Sequence, residues 1–210
     1  MIKMLIADDH PIFRRGLKEL LYDSFDDVTV DEASNSSQAL SCINSSDYQI
    51  VLLDIAMPGR SGLDIIKDIK KASPKVPVLM LSAYPEDQYA IRALKSGASA
   101  YLTKKSIADE LIEAIKKVLH GGKYLTSSLA ERLAFAIEEN NEIIPHEKLS
   151  NREYQIMCMI ASGKTVKAIA DELRLSENTV STYRIRTLEK MNLKNNAELT
   201  YYAVKHGLIE

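Results

Sequence analysis

The run Ile2-Lys3-Met4-Leu5-Ile6-Ala7-Asp8-Asp9 decides the fold of this 210-residue chain. A short, almost wholly apolar segment that stops on two carboxylates reads as a buried strand with a polar C-terminal end. The pattern returns at Ile50-Val51-Leu52-Leu53-Asp54. Two buried strands that each end in carboxylate gather like charges at one edge of a sheet. Such a cluster raises its own pKa values unless a cation neutralises it. Oxygen ligands, with water filling the other positions, suit a hard divalent ion, and Mg²⁺ is the expected one. The two runs therefore point to a metal-assisted phosphoryl site and not to a structural ion pair.

Outward from these runs, short apolar segments alternate with helix-period segments up to residue 120. The strands are expected at Lys3–Ala7, Thr29–Ala33, Ile50–Asp54, Val78–Ser82 and Ala100–Leu102. The helices are expected at Pro11–Asp23, Ser36–Asn44, Gly62–Ala72, Asp87–Lys95 and Ile107–His120. Alternation of this kind predicts an α/β doubly wound fold, a five-stranded parallel sheet with helices on both faces. Ligands bind such sheets beyond the carboxyl ends of the strands, where Asp8, Asp9, Asp54, Ser82 and Lys104 all fall.

Gly121-Gly122 stops the last of these helices, and Ser127–Glu138 reads as a further helix. Glu139-Asn140-Asn141-Glu142 followed by Pro145 reads as a connection, so 121–147 is a linker carrying a helix. From Leu149 onward everything is helical: Asn151–Ala161, Val166–Leu173, Ser176–Met191 and Ala197–His206, with Ser176 expected to cap the third. Residues 1–120 and 148–210 are thus separate domains, the second an all-α domain of four helices.

Composition narrows the class. With 46% hydrophobic and 27% charged residues the chain builds ordinary cores and is not disordered. No apolar stretch approaches a membrane span, and a cytoplasmic protein with no membrane partner is expected. Cys42 and Cys158 sit among helix-period apolar residues and read as buried free thiols. The net charge of −2 argues against a chain that coats nucleic acid uniformly. The charge is divided, however: residues 149–210 carry 9 Lys and Arg against 7 Asp and Glu, and residues 1–148 carry 18 against 22. A mildly basic tail region behind an acidic front half points to different partners for the two.

Phosphoryl transfer to a carboxylate needs in-line positioning and neutralised equatorial oxygens more than covalent help. Asp54 is the candidate nucleophile, forming an acyl phosphate. Asp9, with Asp8 nearby, can hold Mg²⁺ directly or through water. Lys104 offers a point charge to one phosphoryl oxygen, and the Ser82 hydroxyl can donate to another.

The segments Ile6-Ala7-Asp8-Asp9-His10, Leu53-Asp54-Ile55-Ala56-Met57-Pro58-Gly59, Ser82-Ala83 and Tyr101-Leu102-Thr103-Lys104 resemble the receiver domain of bacterial two-component response regulators. The resemblance covers about residues 1–120. It implies a flavodoxin-like sheet, phosphorylation of Asp54 by a sensor histidine kinase, and Mg²⁺ held by Asp9, Asp54 and the Ala56 backbone carbonyl. It also implies that Ser82 and Tyr101 form a switch pair, the hydroxyl moving to the phosphoryl group and the ring rotating inward behind it. Three positions depart from relatives. Ala56 has no polar side chain to orient a hydrolytic water, Tyr84 is bulky enough to cover the phosphoryl group, and Lys105 stands where many relatives carry proline. The first two predict a long-lived acyl phosphate. Ala56 also stands where a phosphoaspartate phosphatase needs a general acid, so an enzyme of that class is set aside.

The pair Val166–Leu173 and Ser176–Met191, joined by Arg174-Leu175, has helix-turn-helix spacing, and its second helix can enter a major groove about 12 Å wide. Leu149-Ser150-Asn151-Arg152-Glu153, Gly163-Lys164-Thr165, Ala168-Ile169-Ala170, Ser176-Glu177-Asn178-Thr179-Val180 and Glu189-Lys190-Met191 resemble the LuxR-type DNA-binding domain. A receiver joined to that domain is the architecture of the NarL/FixJ response regulators, which implies a transcription regulator and not an enzyme.

With Val180 placed inward at 100° per residue, Thr187, Met191 and part of Leu188 fall on the buried side. Ser181, Thr182, Ile185 and Arg186 face outward, toward base edges or phosphates, with Glu189 a turn beyond. Arg184 projects to the buried flank, where a salt bridge and a snorkelled phosphate contact are equally open. Lys164, Thr165, Lys167, Thr179 and Lys190 are expected on the DNA backbone, and Ser176 and Asn178 complete the DNA-contacting set. One copy offers little surface for specificity, so two copies on adjacent half-sites are expected. The resemblance implies a homodimer on phosphorylation, with Asn195-Asn196-Ala197-Glu198-Leu199 and Tyr202 in the segment that pairs.

Overall fold

The computed structural model describes residues 1–58, 60–138 and 144–209, with 135–138 described by backbone alone. Two compact units account for the chain, Met1–Ala136 and Ile137–Glu210. In the first, five strands alternate with helices: β1 (Ile2–Ala7), α1 (Pro11–Ser24), β2 (Val28–Ala33), α2 (Ser36–Ser45), β3 (Ile50–Asp54), α3 (Gly62–Ala72), β4 (Val78–Ser82), α4 (Glu86–Ser96), β5 (Ala100–Thr103) and α5 (Ile107–Leu119). Every pairing is parallel, in the order β2-β1-β3-β4-β5. Parallel strands need crossovers on the faces of their sheet, and β3 and β4, the inner strands most covered, are buried at every residue.

Alternation along the strands sorts the side chains between faces. Met4, Ile6, Ile50, Leu52, Leu79, Leu81, Ala100 and Leu102 pack in one core with Leu17 and Leu21 of α1 and Leu111, Ile115 and Val118 of α5. Continuing the same parity beyond the strand ends puts Asp8, Asp54 and Lys104 on that face. Ser82 and Tyr101 have the opposite parity and belong to the face that α4 covers.

The first unit continues past Gly121-Gly122, beyond the expected boundary at residue 120. Tyr124 bridges to Ala100, with its N–H donating to the Ser99 carbonyl at 3.0 Å. Helix α6 (Ser127–Glu138) follows, capped by Thr126, with Leu129 fully buried. The Glu139-Asn140-Asn141-Glu142 connection lies outside the described residues, and Pro145, read as part of it, begins a 3₁₀ turn over Pro145–Lys148.

The second unit then holds α7 (Asn151–Ala161), α8 (Val166–Leu173), α9 (Glu177–Met191) and α10 (Asn196–Lys205). Side chains cap each start: Ser150 and Glu153 form a reciprocal capping box, and Thr165, Ser176 and Asn195 accept the N–H three residues on. Arg174 and Asn192 end α8 and α9 in the left-handed region. Cys158 is buried as expected, but Cys42 is only half-buried. Cys42 lies near the C-terminal end of α2, a helix whose buried residues are Ser36, Ala39 and Ile43.

Candidate phosphoryl site and nucleic-acid interface

The ends of β1, β3 and β5 deliver three charged groups to one point. Asp8 and Asp54 are almost completely buried, at 0% and 1% exposure. The Lys104 ammonium lies 2.6 Å from Asp8 Oδ2 and 3.3 Å from Asp54 Oδ1, and 4.5 Å above the Phe13 ring. Asp54 Oδ2 is buried and has no hydrogen-bond partner among the described residues. Burial, and after it the Asp8 carboxylate, push the Asp54 carboxyl up to about 7, with Lys104 pulling the other way. A buried carboxylate with an unused oxygen costs free energy until a cation or a covalent partner satisfies it.

The neighbouring loop is tied to the same point. His10 donates its backbone N–H to Asp8 Oδ1 at 2.8 Å, and its Nδ1 lies 3.1 Å from that oxygen and 2.9 Å from Asp9 Oδ1. Arg14 donates to the Asp8 carbonyl at 2.6 Å and to Glu32 at 3.2 Å. Ligand atoms of Asp8, Asp9, His10 and Asp54 all lie within 4.8 Å of one another. Three carboxylates around an unsatisfied buried oxygen fit a hard divalent cation, so the residues present suit Mg²⁺. Ala56 sits half-buried in the loop after β3, beside this cluster in sequence.

Ser82 and Tyr101 are brought together on the other face. Ser82 is fully buried, and its oxygen accepts the Tyr84 N–H at 2.9 Å. The Tyr101 ring is already inward, 1% exposed, with its hydroxyl donating to the Tyr84 carbonyl at 2.9 Å. Burial raises the Tyr101 phenol above its ordinary value, and a hydrogen bond from Ser82 opposes that rise. The Tyr84 ring stacks at 4.9 Å on Tyr89 of α4.

Sequence reasoning missed four parts of this site: the His10 contacts, the Arg14 clasp, the Phe13 platform and Gly62. His10, Phe13 and Arg14 follow Asp8-Asp9 within one turn of α1, which was the available signal. Gly62 begins α3 so close to β3 that a Cβ there would stand 2.0 Å from the Asp54 carbonyl oxygen. Only glycine fits that approach.

In the second unit, Val180, Thr187 and Met191 are buried and Leu188 half-buried, as the helical wheel requires. Thr182, Ile185, Arg186 and Glu189 are exposed, while Ser181 is half-buried. A shallow depression of about 290 Å³ is lined by Asn178, Thr179, Thr182, Tyr183 and Arg186. Tyr183 was not singled out from sequence. The Ser176 and Thr179 hydroxyls meet at 2.7 Å within the cap, and Lys164 pairs with Glu172. Thr165 caps α8 and Lys167, its second residue, is exposed. Lys190 pairs at 2.7 Å with the buried Glu153 of α7, so it braces α9 as well as facing solvent. Arg184 is half-buried, its Nε without a hydrogen-bond partner among the described residues.

Two family models match the chain: the response regulator receiver domain over residues 4–116, and the bacterial regulatory proteins of the luxR family over residues 147–203. Response regulator UvrY of Escherichia coli K12 is 35% identical over 209 residues, covering 99% of this chain and 96% of that protein. Response regulator GacA of Pseudomonas protegens is 34% identical over 210 residues, covering 100% and 99%. Among solved structures, response regulator ChrA of a heme-sensing two-component system is 31% identical with a TM-score of 0.51, covering 99% of this chain and 98% of that one. A complex of the two-component response regulator RcsB with DNA is 25% identical with a TM-score of 0.59, covering 97% and 98%.

Proposed function

This chain belongs to the NarL/FixJ response regulators, which join a receiver domain to a LuxR-type DNA-binding domain, and from that premise we propose that Asp54 is its phosphoryl acceptor. The protein is a DNA-binding transcription regulator of two-component signalling. The observation that carries the Asp54 assignment is its buried carboxylate at the end of β3, with one oxygen unsatisfied and the other 3.3 Å from Lys104.

In this reading an Asp54 oxygen bonds to phosphorus as the donor's phosphorus–nitrogen bond breaks, and the electron pair leaves with the imidazole of a sensor histidine kinase. Lys104 gives up its hold on Asp8 and Asp54 to meet one phosphoryl oxygen, and the Ser82 O–H turns to another. Asp8, Asp9, Asp54 and the Ala56 carbonyl would hold Mg²⁺, which neutralises charge on the transferring group when bound. The inward Tyr101 ring, anchored to the Tyr84 carbonyl, fills the space behind Ser82. Ser176, Asn178, Ser181, Thr182, Ile185 and Arg186 of the α9 region would meet promoter half-sites, while Lys164, Thr165, Lys167, Thr179 and Lys190 hold the phosphates. Phosphorylation would favour a homodimer on those half-sites, in the cytoplasm where kinase and promoter are both reached. No helix among the described residues is long and apolar enough to cross a membrane.

The test is intact-mass measurement after incubation with a small phosphodonor and Mg²⁺. A single phosphoryl adduct that disappears in Asp54→Asn is expected. An adduct that survives in Asp54→Asn would move the acceptor elsewhere.

A further inference from the structure

The outward face of α9 carries an exposed isoleucine where a DNA reader would be expected to show charge. Ile185 is 49% exposed, one of few large apolar side chains so placed, and it shares its stripe with Asn178, Thr182, Arg186 and Glu189. Water does not favour such a side chain, and nothing in the helix's own packing uses it, since the buried positions are Val180, Thr187 and Met191. Thr182, three residues earlier on the same face, donates its hydroxyl to the Asn178 carbonyl at 2.8 Å. That bond uses the hydroxyl's one proton on the backbone, so Thr182 offers a partner its methyl and an acceptor oxygen but no donor. The N-terminal half of the reading helix therefore presents adjacent apolar groups, Ile185 and the Thr182 methyl. On their flanks stand Asn178 and Arg186, at the depression that also takes in Tyr183.

In a major groove the one apolar feature among the base edges is the C5-methyl of thymine. We infer that Ile185, with the Thr182 methyl, reads thymine methyl groups, so that this regulator recognises part of its half-site by apolar contact and not by a charged side chain. The inference rests on the reading of α9 as the DNA-recognition helix. It names Ile185 as a specificity determinant distinct from the residues that grip phosphate. Arg186 and Asn178 retain the hydrogen-bonding vocabulary for guanine and adenine beside it.

The experiment uses the full chain, with a small phosphodonor and Mg²⁺, to enrich duplexes from random sequence. Each thymine of the enriched half-site is then replaced by deoxyuridine, which removes only the methyl. At one or two positions per half-site the replacement should weaken binding about three- to fivefold, the worth of roughly one buried methyl. Ile185→Ala should bind the thymine duplex more weakly and lose the preference for thymine over uracil there, and Ile185→Val should restore most of it. Because Ile185 is exposed, these variants fold. Binding that is indifferent to every deoxyuridine, or an unchanged thymine preference in Ile185→Ala, overturns the inference while specific DNA binding stands. If no sequence is enriched at all, the recognition role of α9 falls, and this inference with it.

Discussion

In the proposed phosphoryl transfer Asp54 has to be ionised to attack phosphorus, yet burial and the Asp8 carboxylate hold its carboxyl up at about 7 against an ordinary 3.8. A carboxyl whose folded value lies above its unfolded value favours the folded state while it is protonated. That contribution is present below the unfolded value and is lost as pH rises through the folded one. In buffer without divalent cations, Asp54→Asn should therefore gain stability over the natural chain as pH rises from about 5 to about 8, by on the order of 2 kcal/mol. Thermal unfolding of both chains across that range checks it, and parallel curves would contradict it. Ala56 acts on the opposite step. It offers hydrolytic water no hydrogen bond, so Ala56→Asn should shorten the life of the phosphoryl adduct by roughly tenfold, the effect of about 1.4 kcal/mol on the barrier. Mass spectra at timed intervals after donor removal give the rate directly. The Tyr84 ring bears on this less than its bulk implies, because it stacks on Tyr89 of α4.

Elements meet at contacts that local sequence describes unevenly. The start of α3 backs onto the end of β3, and a Cβ at Gly62 would press on backbone that has no softer neighbour to move. Gly62→Ala should cost about 1–3 kcal/mol and displace Asp54, so that Tm and adduct yield fall together. A variant with lowered Tm but full adduct would show that the loop relaxes elsewhere. In the second unit, burial alone would raise the Glu153 carboxyl, but bonds from Lys190 and from the Ser150 N–H outweigh it and hold the carboxyl below its ordinary 4.5. A carboxyl lowered on folding contributes stability above its unfolded value and loses it as pH falls through the folded one. Lys190→Met should remove about 1–2 kcal/mol near neutrality and bring acid unfolding of this unit to higher pH, read by circular dichroism. The strand ends were legible because parallel strands must bury both faces, so apolar runs that stop on Asp8, Asp54 and Ser82 stand out. The Ser176 cap was legible for a similar reason, since it acts within three residues of itself; Ser150, Thr165 and Asn195 cap over the same short span and carried the same local signal. Glu153–Lys190 and Thr126–Glu86 were not. Their partners are 37 and 40 residues apart, and no local period joins them. The same distance explains why helix α6 read as linker: its anchors are Thr126 on Glu86 and Arg132 on the Asp87 carbonyl.

At the scale of the whole molecule, a chain with net charge −2 must bind a polyanion through a small basic patch, so salt should count the contacts and the copies. Lys164 and Lys190 give that count poorly, since each also neutralises an acid, Glu172 and Glu153. Lys167 is cleaner: it is exposed on α8 and in no ion pair among the described residues. Each phosphate neutralised by the protein steepens the fall of log affinity with log salt by about 0.9. A single copy on DNA should therefore lose about 0.9 of slope in Lys167→Gln, and a pair of copies on adjacent half-sites about 1.8. Fluorescence anisotropy over a salt series, with and without the phosphodonor, measures both. If phosphorylation assembles the dimer, the Lys167→Gln difference should double when the donor is added while the half-site preference stays the same. A difference fixed near 0.9 under both conditions would mean that one copy reads the DNA whatever the state of Asp54. An unchanged slope in Lys167→Gln would take α8 off the phosphate backbone altogether.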